Sequence, residues 1–537
     1  MKTLMYWLNK VQQVFISGNF LLLLLVIFIG NLVYKRVVWD SGTSPLIQSD
    51  SQIKLYQTIE YKDRGIHSHQ CFAKYQDFDE NYRFYPFRYP WTVFTTDDFG
   101  IKHCVFQYPS FFAQTFSLLP IPYRFFNGII LILYIILCFF VVLSVRSLFE
   151  IKETNYLALT GLLFLVGYGI SSAIEFSESI PAQLLLLAFF FVVFRLENNQ
   201  KVSLPFQLLF GFCGGISIFL RSESLMFIGI LGLIVLYRNR NQFFVSLVKY
   251  MPLIAGFILA FGLFGYYNFT EFQAVLGVRS KVSFTDFSRL DLNHRFHLIQ
   301  EFFFGNTDRI GFLFYCFPIL ILIVYSCFKL KLSQLQKLII TVTLISFVTV
   351  VILSPYSSGG LYLGLRFTEF SYLLFSIFVI SLLSTVFDQK ERQMVILLIL
   401  LQIGLGFYHV RRNFKTIDFV KKYHEIFQAK LNEQPDSPVV HLSVFDLLLI
   451  SDSFLKKPHW IANQQTEFNI LETKFMKSGV KKFQVFFYNF RPPKDDNVTE
   501  EFYDQWIDTK YEISSNYYQK VSDEEIAGFR LMLWTKK

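Results

Sequence analysis

Eleven apolar runs, each close to the length that carries a helix across a hydrocarbon layer, recur along this chain and leave it few ways to fold. They lie at about residues 19–38, 125–144, 156–175, 181–195, 203–220, 224–237, 250–268, 310–328, 337–354, 367–386 and 394–410. Runs 181–195 and 224–237 are short, which a locally thinned bilayer accommodates. Inside lipid the backbone must satisfy its own polar groups, so such runs fold as helices. Composition agrees: 53% of the 537 residues are hydrophobic and 66 are phenylalanine, outside the range of a water-soluble domain. The expected fold is mainly α, a polytopic transmembrane helical bundle of about eleven helices.

The formal charge of +9 raises a nucleic-acid reading, but Lys and Arg are scattered in short clusters between apolar runs instead of forming one patch. Arg146 with Lys152, Arg195 with Lys201, Arg238 with Arg240, Lys329 with Lys331 and Lys337, and Lys390 with Arg392 all fall on one side of the bundle, with Lys2 and Lys10. The positive-inside rule makes that side cytoplasmic. Segment 39–124, loop 269–308 and everything after 411 are then expected outside. Tyr34, Lys35 and Arg36 come soon after the apolar stretch from Phe20 to Gly30, where a signal-peptide cleavage site would need small residues, so the first run reads as an uncleaved anchor.

The plainest reading of so many apolar helices is a transporter or channel. Transporters often carry internal repeats and helices broken at mid-membrane. The chain has no evident repeat; Gly211, Gly214 and Gly215 are the best candidates for a break, although small residues also permit close helix packing. Segment 39–124 is long, polar and aromatic, which suits a folded functional element. A capped helix is expected to start near Asp50, whose carboxylate reads equally well as a plain N-cap or as a reactive group. Further on, Phe106-Gln107-Tyr108-Pro109-Ser110-Phe111-Phe112 reads as a turn into an amphipathic helix at the membrane surface.

An acidic residue shortly after the first span, a Tyr-containing helix, and then a Tyr-Pro element resembles the GT-C superfamily of membrane glycosyltransferases. Further matches follow in order. Glu178 in Glu175-Phe176-Ser177-Glu178 resembles an acidic turn, and Leu220-Arg221-Ser222-Glu223 an outward Arg-containing turn. Tyr267-Asn268 through Leu276-Gly277-Val278-Arg279 is similar to a stretch of the bacterial lipid-A and cell-envelope branch. Gly305-Asn306-Thr307-Asp308-Arg309 resembles its next re-entry turn, and Gly359-Gly360-Leu361-Tyr362-Leu363-Gly364-Leu365-Arg366 its Gly-rich element ending in Arg. Where many relatives carry a second acid beside the first, Asp50 is followed by Ser51, and a divalent metal stays an open alternative.

The resemblance implies a polyprenyl-phosphate-linked sugar donor in the bilayer and a glycan, lipid or protein acceptor on its outer face, with no cofactor that is certain. An acceptor hydroxyl is a weak nucleophile, so a carboxylate must take its proton as the new bond forms. Asp50 is the candidate base. Departure of a lipid phosphate concentrates negative charge, which a guanidinium stabilises bidentately. Arg366 and Arg221 are the candidates, against the simpler role of charges snorkelling at helix ends. Glu178, Tyr56, Tyr108, Arg279 and Arg309 complete the expected substrate-binding set.

Cys71 and Cys104 share the outer loop and are candidates for a disulfide in an oxidising compartment. Cys138, Cys213, Cys316 and Cys327 fall in apolar runs and read as small core residues. After Arg411 and Arg412 the chain turns polar. Strands are expected at 439–445, 483–488 and 529–535 and helices at 465–478 and 500–507, so 411–537 reads as a compact extracytoplasmic α/β domain following a membrane module at 1–410. The functional expectation is a GT-C-type glycosyltransferase of a bacterial inner membrane. Its alternatives are a transporter or flippase of lipid-linked sugars, and a non-catalytic membrane scaffold.

Overall fold

The computed structural model describes residues 18–33, 49–71, 78–79, 82–87, 91–96, 102–289, 291–305, 310–355, 366–385, 388–443, 446, 451–488 and 513–537. These form two compact units, one of Met1–Pro45 with Ile121–Phe414 and one of Leu46–Pro120 with Lys415–Lys537. The expected boundary at 410 therefore needs correction. The outer loop belongs with the C-terminal residues, because its aromatic side chains share a core with them.

The helices are α1 (Gly18–Val33); α2 (Ser49–Arg64) and α3 (Ser110–Ser117), both of the second unit; α4 (Phe126–Phe149); α5 (Thr154–Leu165); α6 (Gly169–Ala173); α7 (Ser179–Glu197); α8 (Leu204–Leu220); α9 (Ser224–Arg238); α10 (Phe243–Phe272); α11 (Val278–Arg289); α12 (Leu292–Phe304); α13 (Phe312–Tyr315); α14 (Phe317–Lys329); α15 (Gln334–Leu353); α16 (Glu369–Ser381); and α17 (Gln389–Asn432). Among the described residues, five are long and apolar enough to cross a membrane: α4 with the turn before it, α7, α10 with the turn before it, α15 and α17. The other apolar runs form helices of 10–17 residues. Local chemistry sets the ends. Ser333 Oγ accepts from Gln336 N (3.2 Å) while Gln336 Oε1 accepts from Ser333 N (2.9 Å), a reciprocal cap that starts α15.

Helix α8 is continuous, so Gly211, Gly214 and Gly215 do not break it. They bring it against its neighbours: a Cβ on Gly211 would lie 2.0 Å from Leu253 O of α10, and one on Gly256 of α10 would lie 2.1 Å from Leu208 O. The break falls elsewhere. The run expected as one span over 156–175 stops at Leu165 and resumes as the short α6. A helix end leaves carbonyls without partners, and in this unit tyrosines from three other helices supply donors. Tyr372 Oη donates to Leu163 O (3.1 Å), Tyr134 Oη to Phe164 O (2.9 Å) and Leu165 O (3.2 Å), and Tyr315 Oη to Val166 O (3.1 Å). Gly167 makes room for the caps, since a Cβ there would meet Tyr372 Cε1 at 2.1 Å. Of the cysteines read as core, Cys138 and Cys316 are buried, Cys213 is half-buried and Cys327 is exposed on α14.

The second unit is built on β1 (Thr92–Thr96), β2 (Lys102–Phe106), β3 (Val439–His441), α18 (Ser451–Lys456), β4 (His459–Ile461), α19 (Gln465–Lys477), β5 (Lys482–Tyr488), β6 (Tyr518–Ile526) and β7 (Phe529–Lys536). Strands β1 and β2 form an antiparallel hairpin. The others form one sheet in the order β4-β3-β5-β7-β6, parallel among β4, β3 and β5 and antiparallel across β7 and β6. The strand expected at 439–445 ends at His441, β4 and β6 were not expected, and the helix expected at 500–507 lies outside the described residues. Tyr56, Tyr85, Phe87, Trp91 and Phe106 of the outer loop pack in one cluster with Phe427, Val439, Phe454, Ile461 and Phe486. Ile461 N donates to Phe84 O (3.0 Å), and Lys474 Nζ to Phe78 O (3.0 Å).

Candidate functional site

In the second unit, Asp50 stands in the first turn of α2, where the helix dipole and outward N–H groups favour a carboxylate. Residues 50, 54 and 57 fall on one helical face, and that face grips Tyr108. Tyr108 Oη donates to Asp50 Oδ1 at 2.5 Å, Lys54 Nζ lies 5.0 Å from the ring centroid, and Gln57 Nε2 donates to Tyr108 O at 3.2 Å. Lys54 is 1% exposed, whereas Asp50 is only half-buried. Thus Tyr108 is held at its hydroxyl, ring and carbonyl, and it fixes one oxygen of the half-buried Asp50.

The bonded pair Cys71–Cys104 ties the chain after α2 to β2, which leads directly to Tyr108. Tyr56, expected to bind substrate, is instead core: its ring packs on Phe87 (5.4 Å) and Phe454 (4.8 Å) and has no exposed surface. Sequence reasoning missed Glu60, buried two turns beyond Lys54. Its Oε1 accepts from Ser68 Oγ (3.1 Å) and faces Arg64 Nε (3.3 Å). Burial pushes its carboxyl above the usual range, with Arg64 opposing.

In the first unit, Arg221 ends α8 and its guanidinium is nearly buried. Nε donates to Glu223 Oε1 (2.6 Å), Nη1 lies 3.4 Å from Glu178 Oε1, and the group stands over the Phe367 ring at 5.3 Å. Glu178 and Arg221, expected together, are therefore brought together. Two carboxylates already neutralise this arginine, so an incoming phosphate would have to displace one of them. Nearby in the fold, Glu369 was not anticipated at all. Buried at the start of α16, it accepts from Ser172 Oγ (2.5 Å) and Gln183 Nε2 (2.6 Å).

Arg279 is the second residue of α11 and half-buried. Arg366 opens the single turn Arg366–Thr368. Its side chain, Arg309 and the Gly-rich stretch 359–365 lie outside the described residues. Among the described residues no three His, Cys, Asp or Glu side chains group as a metal centre would require. No family model matches the chain, and no curated protein matches it.

Proposed function

We propose that the protein is a GT-C-type membrane glycosyltransferase that moves a sugar from a polyprenyl-phosphate donor to an envelope glycan, lipid or protein. In this reading about eleven helices span a bacterial inner membrane, with the N-terminus cytoplasmic and the second unit on the outer face. The observation that carries the proposal is the hydrogen bond from Tyr108 to Asp50, which joins two elements of the GT-C-like pattern that stand 58 residues apart. The Cys71–Cys104 bond supports the orientation, because disulfides persist in oxidising compartments.

In the reaction the acceptor hydroxyl oxygen bonds to the anomeric carbon, and the bond from that carbon to the phosphate oxygen breaks. The polyprenyl phosphate leaves with the electron pair, and Asp50 takes the hydroxyl proton. Tyr108 holds Oδ1, which orients the carboxylate toward the acceptor. By the resemblance alone, Arg366 at the end of the Gly-rich element is the candidate for the leaving phosphate. The tyrosine caps weigh against a transporter: carbonyls of a broken transporter helix coordinate the transported ion, whereas those at the end of α5 accept from tyrosine hydroxyls.

Asp50→Asn tests the assignment. In detergent, where transbilayer movement has no meaning, the parent is expected to consume donor and glycosylate acceptor. The variant should lose about 10²-fold or more of that rate while keeping its fold. Transfer at the parental rate by Asp50→Asn would remove the base, and absence of donor consumption by the parent would favour a flippase.

A further inference from the structure

Helices α11 and α12 join two strongly apolar helices, α10 and α14, yet they are polar enough that neither is a candidate span. They form a tied pair. The Asp291 carboxylate caps α12 by accepting from His294 N (2.8 Å), and Arg295 reaches back to donate to Phe287 O (3.1 Å) with its guanidinium 4.0 Å from that ring's centroid. Beyond α12, Gly305 bridges Ile310 and a Cβ on Gly311 would lie 2.4 Å from Phe303 O, which holds the end of α12 against the start of α13.

The outward surface of this pair is unlike that of a water-exposed loop. Phe284 is 69% exposed, Leu292 83%, Phe296 62% and Phe304 59%. Leu292 and Phe296 stand one turn apart on the same face of α12, and Lys281 shares the exposed face of α11 with Phe284. Four large apolar groups at that exposure would each forfeit about 1.5–3 kcal/mol of burial in water.

One contact fixes where α12 lies along α15. Phe303 of α12 packs edge-on against Phe347 of α15 at 5.8 Å. Phe347 lies six residues before the end of α15 at Leu353, or about 9 Å along its axis at 1.5 Å per residue. With the end of α15 taken as the bilayer surface, as the membrane reading has it, that distance matches the ~5–10 Å to which amphipathic helices settle between headgroups and acyl chains.

We infer that the α11–α12 pair is a phospholipid-binding element that lies in the headgroup layer, with Phe284, Leu292, Phe296 and Phe304 in the upper acyl region and Lys281 extended to the phosphates. The occupant of the exposed face is the bilayer itself. Two features support this choice over a protein partner. Both flanking segments are apolar helices, α10 long enough to cross a membrane and α14 shorter, and the exposed side chain of α10 near its end, Phe269 at 51%, continues through Val275 at 44% toward α11. The inference depends on the membrane reading of the bundle and not on the glycosyltransferase proposal.

Spin labels test it in the full chain. Cys213 and Cys327 are replaced by Ser, and single sites Phe284→Cys, Phe296→Cys and, as an aqueous reference on β6, Val521→Cys are labelled in phosphatidylethanolamine–phosphatidylglycerol vesicles. Collision with dissolved oxygen relative to a water-soluble nickel chelate is expected to be several-fold higher at 284 and 296 than at 521. A ratio equal to that at 521 would place the face in water and overturn the inference. Low collision with both reagents would also overturn it, because protein would then cover the face. Leu292→Cys reads the same face should Phe296→Cys fail to fold.

Discussion

Tyr134→Phe removes one oxygen from the interior of the first unit and leaves its ring, which packs 5.2 Å from Phe164, in place. The lost hydroxyl serves Phe164 O at 2.9 Å and Leu165 O at 3.2 Å at the end of α5. In a membrane bundle a side-chain hydrogen bond contributes on average about 0.6 kcal/mol and at most about 1.7. A buried acceptor left without its donor costs about 1–3 kcal/mol, and here that applies to Leu165 O alone, since Phe164 O keeps the Gly167 N–H at 3.0 Å. One proton shared between two carbonyls falls in the overlap, so a loss of about 1–2 kcal/mol is expected. Titration with SDS in mixed micelles, followed by far-ultraviolet circular dichroism, measures it. Tyr315→Phe and Tyr372→Phe each remove the donor to one carbonyl, Val166 O and Leu163 O, and should lose a comparable amount. Because the three hydroxyls cap the same helix end, the triple variant should depart from additivity. Parental stability, within about 0.3 kcal/mol, in both Tyr134→Phe and the triple variant would show that the end of α5 does not depend on these caps.

Two further outcomes concern the second unit. Alkylation of the denatured, unreduced protein should label four cysteines and spare Cys71 and Cys104. Replacing both by Ser should lower stability by about 3–4 kcal/mol from the 33-residue loop they close, read from the emission of Trp91, Trp460 and Trp534; full labelling without reductant would refute the bond. Burial pushes His441 down to about 3, with Lys457 adding to the effect, and holds His459 well below the ordinary value. As pH falls from about 6.5 toward 3 the unfolded chain takes up protons that the folded chain refuses, so stability falls through that window and is constant above it. The raised Glu60 carboxyl works in the opposite sense near its own range. Comparison with His441→Gln therefore isolates the imidazole: its denaturation midpoint should fall less between pH 7 and pH 4, and an unchanged pH dependence would refute the assignment.

Hydropathy exposed the apolar helices because burial in lipid selects composition over long windows. It missed the break after Leu165, since Val166-Gly167-Tyr168-Gly169 carries no charge and sits inside a window that stays apolar. The tyrosines that make the break tolerable come from three helices distant in sequence. Alternation of apolar residues located β3, β5 and β7, which are buried. It missed β4, only three residues long, and β6, whose outward residues are mostly charged or polar. The start of a helix near Asp50 was legible, and the Tyr-Pro element marked Tyr108; that Lys54 and Gln57 share the Asp50 face and hold Tyr108 was not read. Glu369 was not, because its partners Ser172 and Gln183 lie 197 and 186 residues away and carry no local pattern. Tyr56 looked like a site residue through its place on the same helix as Asp50, yet its side of that helix faces the aromatic core.

The shared core of the second unit also bears on the order of synthesis. Residues 46–120 leave the ribosome long before Val439, Phe454 and Phe486 exist to cover Tyr56, Tyr85 and Phe87. The hairpin β1–β2 and the Cys71–Cys104 bond use only nearby partners and can form at once, whereas the aromatic cluster must wait for the last quarter of the chain. A nascent protein stalled before Lys415 would therefore present a sticky aromatic surface, and chaperone engagement of that loop would be set by the time needed to make the intervening helices.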